Sequence, residues 1–445
     1  MSAAPSQPIS VVGAGLAGSL LALLLARRGF AVTLYDRRSD PRTVQSRAGR
    51  SINLALAARG IRALERAHAM ESIRPLLIAM RGRMLHDRTG ELELQPYGRT
   101  QQEVIYSVDR TALNCALLDE VTRHPQVECK FEQICLGADL GADALSFRDL
   151  PSGLTYEKPL TPSIATDGAG SVVRTSLAAA HAIDAREEPL DHDYKELTIP
   201  AQDGRHALDP GALHIWPRGG FMLIALPNIG GSFTATLFLP HSGAASFGAL
   251  ATPAQVREFW THEFPDAVAL MPDLVHEFIH HPLGQLGTVH SAPWHVGGRV
   301  LLLGDAAHAI FPFHGQGMNA AFEDCLVFDD LLDVHEEMTS LFDDFERRRR
   351  PNAEAIAQMS LENYEEMRAT VLDPTFKRHQ ELALELEDRF PERFIRRYSM
   401  VMFHPEIPYA EALRRGAVQA QIIAAIDRDP KRAAALIRER LPPIG

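Results

Sequence analysis

The period of apolar and polar positions changes several times along the 445-residue chain, and each change predicts an element. Ile9 to Arg38, ISVVGAGLAGSLLALLLARRGFAVTLYDRR, begins as a β-branched run, turns on glycines, continues as an apolar helix and ends in a second strand. IATDGAGSVVRTSLA (164–178) reads as a strand end, a turn at Asp167-Gly168, and a helix opened by Ser171 and Arg174. GRVLLLGDAAHAI reads as a buried strand from Val300 to Leu303 that runs into Gly304-Asp305 and a helix. AMRGRMLHDRTGELELQPYGR predicts a hairpin with strands near Met80–His86 and Glu91–Gln95 and a turn at Asp87–Gly90, with Arg81 and Arg83 alternating onto one face. ALHIWPRGGFMLIALPNIGGSFTATLFLP (212–240) predicts a three-stranded meander turning at 218–220 and 228–231. Its last strand shows Thr234, Thr236 and Phe238 on one face, and Phe233, Ala235 and Leu237 on the other. Beyond residue 320 the period is helical. Pro351 is expected to kink or separate two helices, and ERRRR (346–350) to be a solvated helix end. Asn363 and Met367, four apart, fall on one helix face, and the last stretch is amphipathic and broken at Pro430.

Composition narrows the class. Hydrophobic content of 46% and charged content of 23% describe an ordinary soluble globular protein, long enough for two or three domains. A net charge of −12 argues against nucleic acid or an anionic membrane as the main partner. Cys115, Cys129, Cys135 and Cys325 are scattered, which fits a reducing cytoplasm and neither a disulfide framework nor a metal site. No apolar run reaches membrane-spanning length, and the N-terminus enters its first strand too early for a signal peptide.

The chemistry starts at the first turn. Gly13, Gly15 and Gly18 supply G-x-G-x-x-G spacing between a strand and a helix, and Asp36 closes the next strand. Such a turn brings backbone to a pyrophosphate at a helix N-terminus, and the acid is placed to accept from ribose hydroxyls. Arg37 and Arg38 follow as candidate phosphate or adenine contacts. Glycines alone leave the dinucleotide open. The chain returns to it at Asp167 and again at Asp305, which suits the longer FAD. Gly315, Gly317 and Met318 can bring backbone N–H groups to the flavin pyrimidine edge, where they would stabilise negative charge.

GAGLAG, DGAGSVVR and GDAAH together resemble the motifs of the single-component, FAD-dependent aromatic hydroxylases of the para-hydroxybenzoate hydroxylase fold. GRSINLALAARG (49–60), MRGRML (80–85), QPYGR (95–99), YKEL (194–197), ALHIWPRG (212–219), PFHGQGMN (312–319), LENYEEM (361–367) and RRYSMV (396–401) are similar to the members that hydroxylate L-kynurenine. One departure is ATDG (165–168), where the family more often has Gly-Ala-Asp-Gly. The resemblance implies bound FAD, with NADPH and O2 as co-substrates, and oxygen transfer to ring carbon 3. It implies FAD contacts at Gly13, Gly15, Leu16, Ala17, Gly18, Asp36, Arg37, Arg38, Arg110, Asp167, Asp305, Gly315, Gly317, Met318 and Asn319. It implies a substrate site of Arg83, Tyr97, Leu213, Ile224, Leu226, Thr236, Phe238, Pro312, Phe313, His314, Asn363, Met367 and Tyr398, with Arg83 and Tyr97 clamping the carboxylate. No obligatory acid or base and no metal is expected; Arg83, Tyr97 and His314 position the substrate.

The expected fold is α/β: a Rossmann-like FAD-binding domain with an inserted, mainly antiparallel β-sheet substrate domain and a C-terminal helical region. The expected division assigns 1–75, 99–180 and 291–350 to FAD binding, 76–98 and 181–290 to the substrate domain, and 351–445 to helices closing the pocket. A cytoplasmic enzyme without a membrane anchor follows, a homodimer being the assembly considered. The competing readings are a hydroxylase of the same fold acting on another aromatic amine or phenol, a flavin halogenase, for which no Trp-x-Trp-x-Ile motif is present, and a non-catalytic binder of the fold, which the intact GDAAH and GQGMN disfavour.

Overall fold

The computed structural model describes residues 8–43, 53–370, 373–427 and 429–444, so the start of GRSINLALAARG (49–52) lies outside the described residues. The chain divides into two compact units, one of Met1–Leu77, Val108–Leu190 and Leu286–Ala353, the other of Ile78–Ser107, Asp191–Gln285 and Glu354–Gly445. Residues 99–107 therefore group with the second unit and 181–190 with the first, a shift of several residues from the expected boundaries. Within the second unit, the Ser107 hydroxyl donates to the Pro227 carbonyl at 2.9 Å.

The first unit is built on a sheet in the order His295–Val296, Val300–Leu302, Ser163–Ala165, Ile9–Val12, Val32–Tyr35, Val127–Lys130. All but the first of these strands run parallel. The four central strands, Ile9–Val12, Val32–Tyr35, Ser163–Ala165 and Val300–Leu302, are buried at every position, as strands covered on both faces are. The helix Leu16–Arg27 is buried from Ser19 to Ala26 and packs against Arg110–Thr122 and Gly317–Leu331. Register matters most here: Val12 pairs with Ala165, and Ala165 with Leu302. Three parallel strands thus end level, and the turns that follow at Gly13, Asp167 and Gly304 emerge along one sheet edge, where ligands bind in open α/β sheets. A separate antiparallel sheet comprises Gln133–Asp139, Ala144–Asp149 and Thr155–Pro159.

In the second unit the strand order runs from Asp184–Ile199 through Phe233–Pro240, Met222–Pro227, Ala212–Pro217 and Gly82–His86 to the edge strand Leu92–Pro96. Pairing is antiparallel except between Ala212–Pro217 and Gly82–His86. One face carries Leu197, Trp216, Leu223, Ala225, Phe233, Ala235 and Leu237, which pack with Trp260, Phe264 and Phe278 into a buried core. The helix over that core, Pro253–Glu263, starts with a capping box between Thr252 and Gln255. The C-terminal helices Pro374–Arg389, Tyr409–Ile426 and Ala433–Arg440 close on Leu386, Phe394, Ile422, Ile426 and Ile437. No helix among the described residues is long and apolar enough to cross a membrane.

Four local expectations are corrected. Met80 belongs to a short strand, Ile78–Met80, that pairs with Ile105–Asp109, and the hairpin strand starts only at Gly82. Arg81 sits at this switch with its side chain 64% exposed toward Asp209, whereas Arg83 is buried, so the two do not share an environment. Pro351 lies inside one unbroken helix, Met338–Glu365. The arginines before it do not end the helix, and one of them is not solvated: Arg349 is buried and its Nε donates to Asp324 at 2.6 Å, while Arg347, Arg348 and Arg350 are exposed. The helix continues through Pro351 although proline cannot make one backbone bond, a loss of about 3 kcal/mol.

The core face also buries a polar chain. His214 Nε2 donates to the Asp209 carbonyl at 2.9 Å, His214 Nδ1 meets His86 Nε2 at 2.8 Å, and His86 Nδ1 meets Asp266 at 2.9 Å, which also accepts from Trp216. Burial, helped by the neighbouring His86, lowers the His214 pKa to about 4. Because the folded value lies below the unfolded one, this contribution is present above pH ~6.5 and is lost as pH falls toward 4. Between pH 7 and pH 4.5 wild type should lose about 2 kcal/mol more stability than His214→Asn, as read from denaturant unfolding at the two pH values.

Candidate active site

Two clusters of candidate residues form, one in each unit. In the first, Gly13 adopts φ +106°, and a Cβ there would lie 2.5 Å from the Thr166 carbonyl oxygen. A Cβ on Gly18 would lie 1.9 Å from the Gly13 carbonyl oxygen and 2.5 Å from Thr166 Oγ1. Around Gly15 nothing among the described residues lies within 4 Å of a built Cβ, at the start of a helix, where free N–H groups favour an anion. Thr166, the departure noted in ATDG, is integral to this arrangement: its hydroxyl lies 2.8 Å from the Gly13 carbonyl and 3.1 Å from that of Val12.

Asp36 is buried and accepts four bonds, from Ala14 N and from the Arg38 backbone N, Nε and Nη2. Burial pushes its pKa up, but the Arg38 guanidinium and the backbone donors outweigh this and hold it below the usual carboxylate value. Arg38 is therefore turned onto Asp36, while Arg37 and Arg110 are exposed. Asp167 has one oxygen accepting from Val172 N at 2.9 Å and the other, Oδ1, buried with no hydrogen-bond partner among the described residues. Burial raises its pKa. Asp305 is half-buried at the first position of a short helix, after Gly304 at φ +62°. Pro312–His314 form a single tight turn ended by Gly315 in the left-handed region, and Gly317 opens the helix Gly317–Leu331. Leu16 and Ala17 form the first helical turn after Gly15, and Met318 is half-buried. The Asn319 side chain is already engaged: Oδ1 accepts from Ala57 N, and Nδ2 donates to the carbonyls of Ala55 and Gly315. It fastens the glycine loop and presents no free side-chain donor.

The residues that brace this loop were not singled out from the sequence. Asp324 is wholly buried and accepts from Gly304 N at 3.1 Å, meets His308 Nε2 at 2.6 Å and accepts from Arg349 Nε at 2.6 Å. Glu323 bridges Arg349 and the buried Arg59. Arg174, also buried, donates to the Ala306 carbonyl at 2.9 Å and to that of Ala169, tying the Asp167 turn to the Asp305 helix.

The second cluster occupies the sheet face opposite the aromatic core. Register places Arg83 beside Leu213, Ile215 beside Ile224, Ile224 beside Thr236, and Leu226 beside Thr234, with Phe238 two positions after Thr236. The five meander candidates Leu213, Ile224, Leu226, Thr236 and Phe238 thus share a face with Arg83. The Arg83 guanidinium lies 4.8 Å from the Tyr398 ring centroid and 5.9 Å from that of Tyr97, and the two rings stack at 5.4 Å and 14°. Its Nη2 reaches Asn363 Oδ1 at 3.4 Å and its Nη1 reaches Glu366 at 3.5 Å. Asn363 Nδ2 meets the Met367 sulfur at 3.1 Å. Burial pushes both tyrosine pKa values up, so both stay neutral phenols. Glu366 is the member that sequence reasoning missed; its place three residues after Asn363 on a helix was the available signal. It begins a π-helical turn, Glu366–Thr370, a type of distortion frequent at functional sites.

Asp324→Asn leaves Arg349 and His308 around an uncharged group. The expected cost is about 3–5 kcal/mol of stability in thermal or denaturant unfolding, with an Arg349→Met/Asp324→Asn cycle showing strong coupling.

The described geometry meets the comparisons with known proteins as follows. A family model described as "FAD binding domain" matches residues 6–360. Kynurenine 3-monooxygenase of Myxococcus xanthus (strain DK1622) is 46% identical over 452 residues, covering 100% of this chain and 97% of that protein. The same-named protein of Xanthomonas axonopodis pv. citri (strain 306) is 46% identical over 429 residues, covering 96% and 94%. Among solved structures, p-nitrophenol 4-monooxygenase from Pseudomonas putida DLL-E4 aligns with a TM-score of 0.67 at 17% identity over 95% of this chain and 98% of that one. Tetrameric 2-methyl-3-hydroxypyridine-5-carboxylic acid oxygenase aligns with a TM-score of 0.65 at 18% identity over 83% and 94%. At those identities the structures establish the shared fold. The level strand ends, the open glycine turn and the unpaired Asp167 oxygen suit an extended dinucleotide, and with full-length relatives at 46% identity the chain belongs to the kynurenine 3-monooxygenase family of FAD-binding proteins.

Proposed function

We propose that the protein hydroxylates L-kynurenine at ring carbon 3, with L-kynurenine, NADPH, H⁺ and O2 giving 3-hydroxy-L-kynurenine, NADP⁺ and water. The observation that carries this reading is Arg83, a buried cation beside two stacked neutral tyrosines with one carboxylate at the edge of bonding distance. A phenol or simple aromatic amine would have no use for it. Kynurenine brings an α-carboxylate that a guanidinium fork binds bidentately. The Tyr97 hydroxyl adds a neutral donor, and Glu366 offers its negative charge to the α-ammonium. The aromatic ring then lies along Leu213, Ile224, Leu226, Thr236 and Phe238, with Asn363, Met367 and Tyr398 closing around the amino-acid head.

FAD, when bound, takes a hydride from NADPH and in its reduced form activates O2 for transfer of one oxygen atom to an electron-rich ring. Backbone N–H groups of Leu16 and Ala17 after Gly15 would hold the pyrophosphate. A ribose hydroxyl would take the place of the Arg38 guanidinium on Asp36, whose acceptor sites are otherwise filled. The orphaned Asp167 Oδ1 and the half-buried Asp305 await hydroxyl donors. The Gly315 N–H is spent on the Pro312 carbonyl, so the backbone N–H groups of Gly317 and Met318 would face the flavin, beside the edge formed by Pro312, Phe313 and His314. Exposed Arg37 and Arg110 would contribute long-range attraction for phosphate. No protein base has to be strong, because the ortho amine of the substrate already activates carbon 3. The residues hold the ring in place and exclude water. The four cysteines are free thiols, and we place the enzyme in the cytoplasm.

The test is NADPH oxidation by the flavin-loaded protein with and without L-kynurenine, with 3-hydroxykynurenine and H2O2 both quantified. Stimulated oxidation that yields 3-hydroxykynurenine is expected; stimulated oxidation yielding only H2O2 would make kynurenine an effector. Arg83→Gln should raise KM about tenfold to a hundredfold, the range for a lost charge-assisted pair, and an unchanged KM would remove the clamp.

A further inference from the structure

Arg396 and Glu387 form a buried ion pair in the C-terminal part of the second unit, with side chains 10% and 5% exposed and Nε to Oε2 at 2.6 Å. A buried pair of this kind is weak grounds for stability, since desolvation of both charges offsets much of their attraction; its best-attested use is to set register. The other bonds of Arg396 indicate what is being set. Its backbone N–H donates to the second Glu387 oxygen at 2.9 Å, where Arg396 caps the helix Arg397–Phe403 that carries Tyr398. Its Nη2 donates to the Tyr97 carbonyl at 3.2 Å and to Ser399 Oγ at 3.3 Å. One guanidinium thus joins the loop bearing Tyr97 to the helix bearing Tyr398, two residues 301 positions apart in the chain numbering.

The bonds Arg83 makes to Asn363 and Glu366, at 3.4 and 3.5 Å, are too long to fix its fork. Tyr97 and Tyr398, which meet it with both ring and hydroxyl, are what confine it. We infer that Arg396, held by Glu387, is a positioning residue that sets the Tyr97–Tyr398 spacing and thereby aims Arg83 at the substrate α-carboxylate. The inference rests on the proposed role of Arg83 as carboxylate clamp. A lysine at 396 could keep the charge opposite Glu387, but its single ammonium on a flexible stem cannot hold Nε-type and Nη2-type partners in one plane.

The test compares holoenzyme affinities for two ligands, L-kynurenine and its decarboxylated analogue, by flavin absorbance titration of wild type, Arg396→Lys and Glu387→Gln. Arg396→Lys should bind L-kynurenine about tenfold more weakly, since small misplacements of an orienting group are costly, while analogue affinity stays within about twofold. Turnover at saturating kynurenine should stay within about threefold, a KM effect without a kcat effect. Equal weakening for both ligands, or no weakening in a folded variant, overturns the inference. If Arg396→Lys does not fold, the isosteric Glu387→Gln must show the same selectivity at smaller size, and equal loss there overturns it as well. Wild type that fails to prefer L-kynurenine over the analogue, with Arg83→Gln equally indifferent, brings down the clamp reading and this inference with it.

Discussion

The second unit is organised around a charge deficit. Arg83 is sunk into one sheet face with a single carboxylate at 3.5 Å, and a buried guanidinium is tolerable only where its surroundings compensate it. The compensation is distributed. Two aromatic faces offer quadrupole attraction, Asn363 offers an amide oxygen, and Glu366 sits just beyond full contact. Everything holding those groups acts on Arg83 indirectly: the sheet register beneath it, the π-helical turn at Glu366, and the Arg396–Glu387 pair, whose Arg396 bonds the Tyr97 carbonyl. The opposite face of the same sheet takes no part in this and carries the packed aromatic core instead. Period-2 alternation is what lets one sheet serve both purposes.

The first unit solves a different problem, how to present backbone to a large anionic cofactor. Parallel strands ending level bring three turns to one edge, and tight contacts among Gly13, Gly18 and Thr166 keep the first turn closed. The third turn needs more help. Gly304 is in a conformation only glycine adopts readily, and its N–H is anchored on Asp324, a carboxylate buried with Arg349 and His308. Asn319 performs the same service for the glycine loop through three backbone bonds. Charge and amide groups inside this unit thus maintain the shape of the loops.

Such devices differ in how far sequence exposes them. The glycine spacing, the strand before it and the acid after it are all local, and so is the alternation that sorts Thr236 and Phe238 from Ala235 and Leu237. Arg349 looks like one of four consecutive arginines on a helix, and Glu366 like one of two consecutive glutamates. Nothing local separates the buried member from its solvated neighbours, because helical period assigns a face and does not name what lies against it. Arg81 and Arg83 mislead for a related reason: strand period holds only while the chain stays in one sheet, and here it changes sheets at Arg81.

By itself the sequence determined the element types, the dinucleotide turn, and which residues of the meander share a face. These follow from short-range sterics and from hydrophobic period, which act over a few residues. Tertiary structure alone decided which charges are buried and with whom: Asp324 with Arg349, Arg83 beside Glu366, Arg396 between Glu387 and the Tyr97 carbonyl. Those choices depend on desolvation and on distances between residues up to 299 positions apart, and neither quantity exists until the chain has packed.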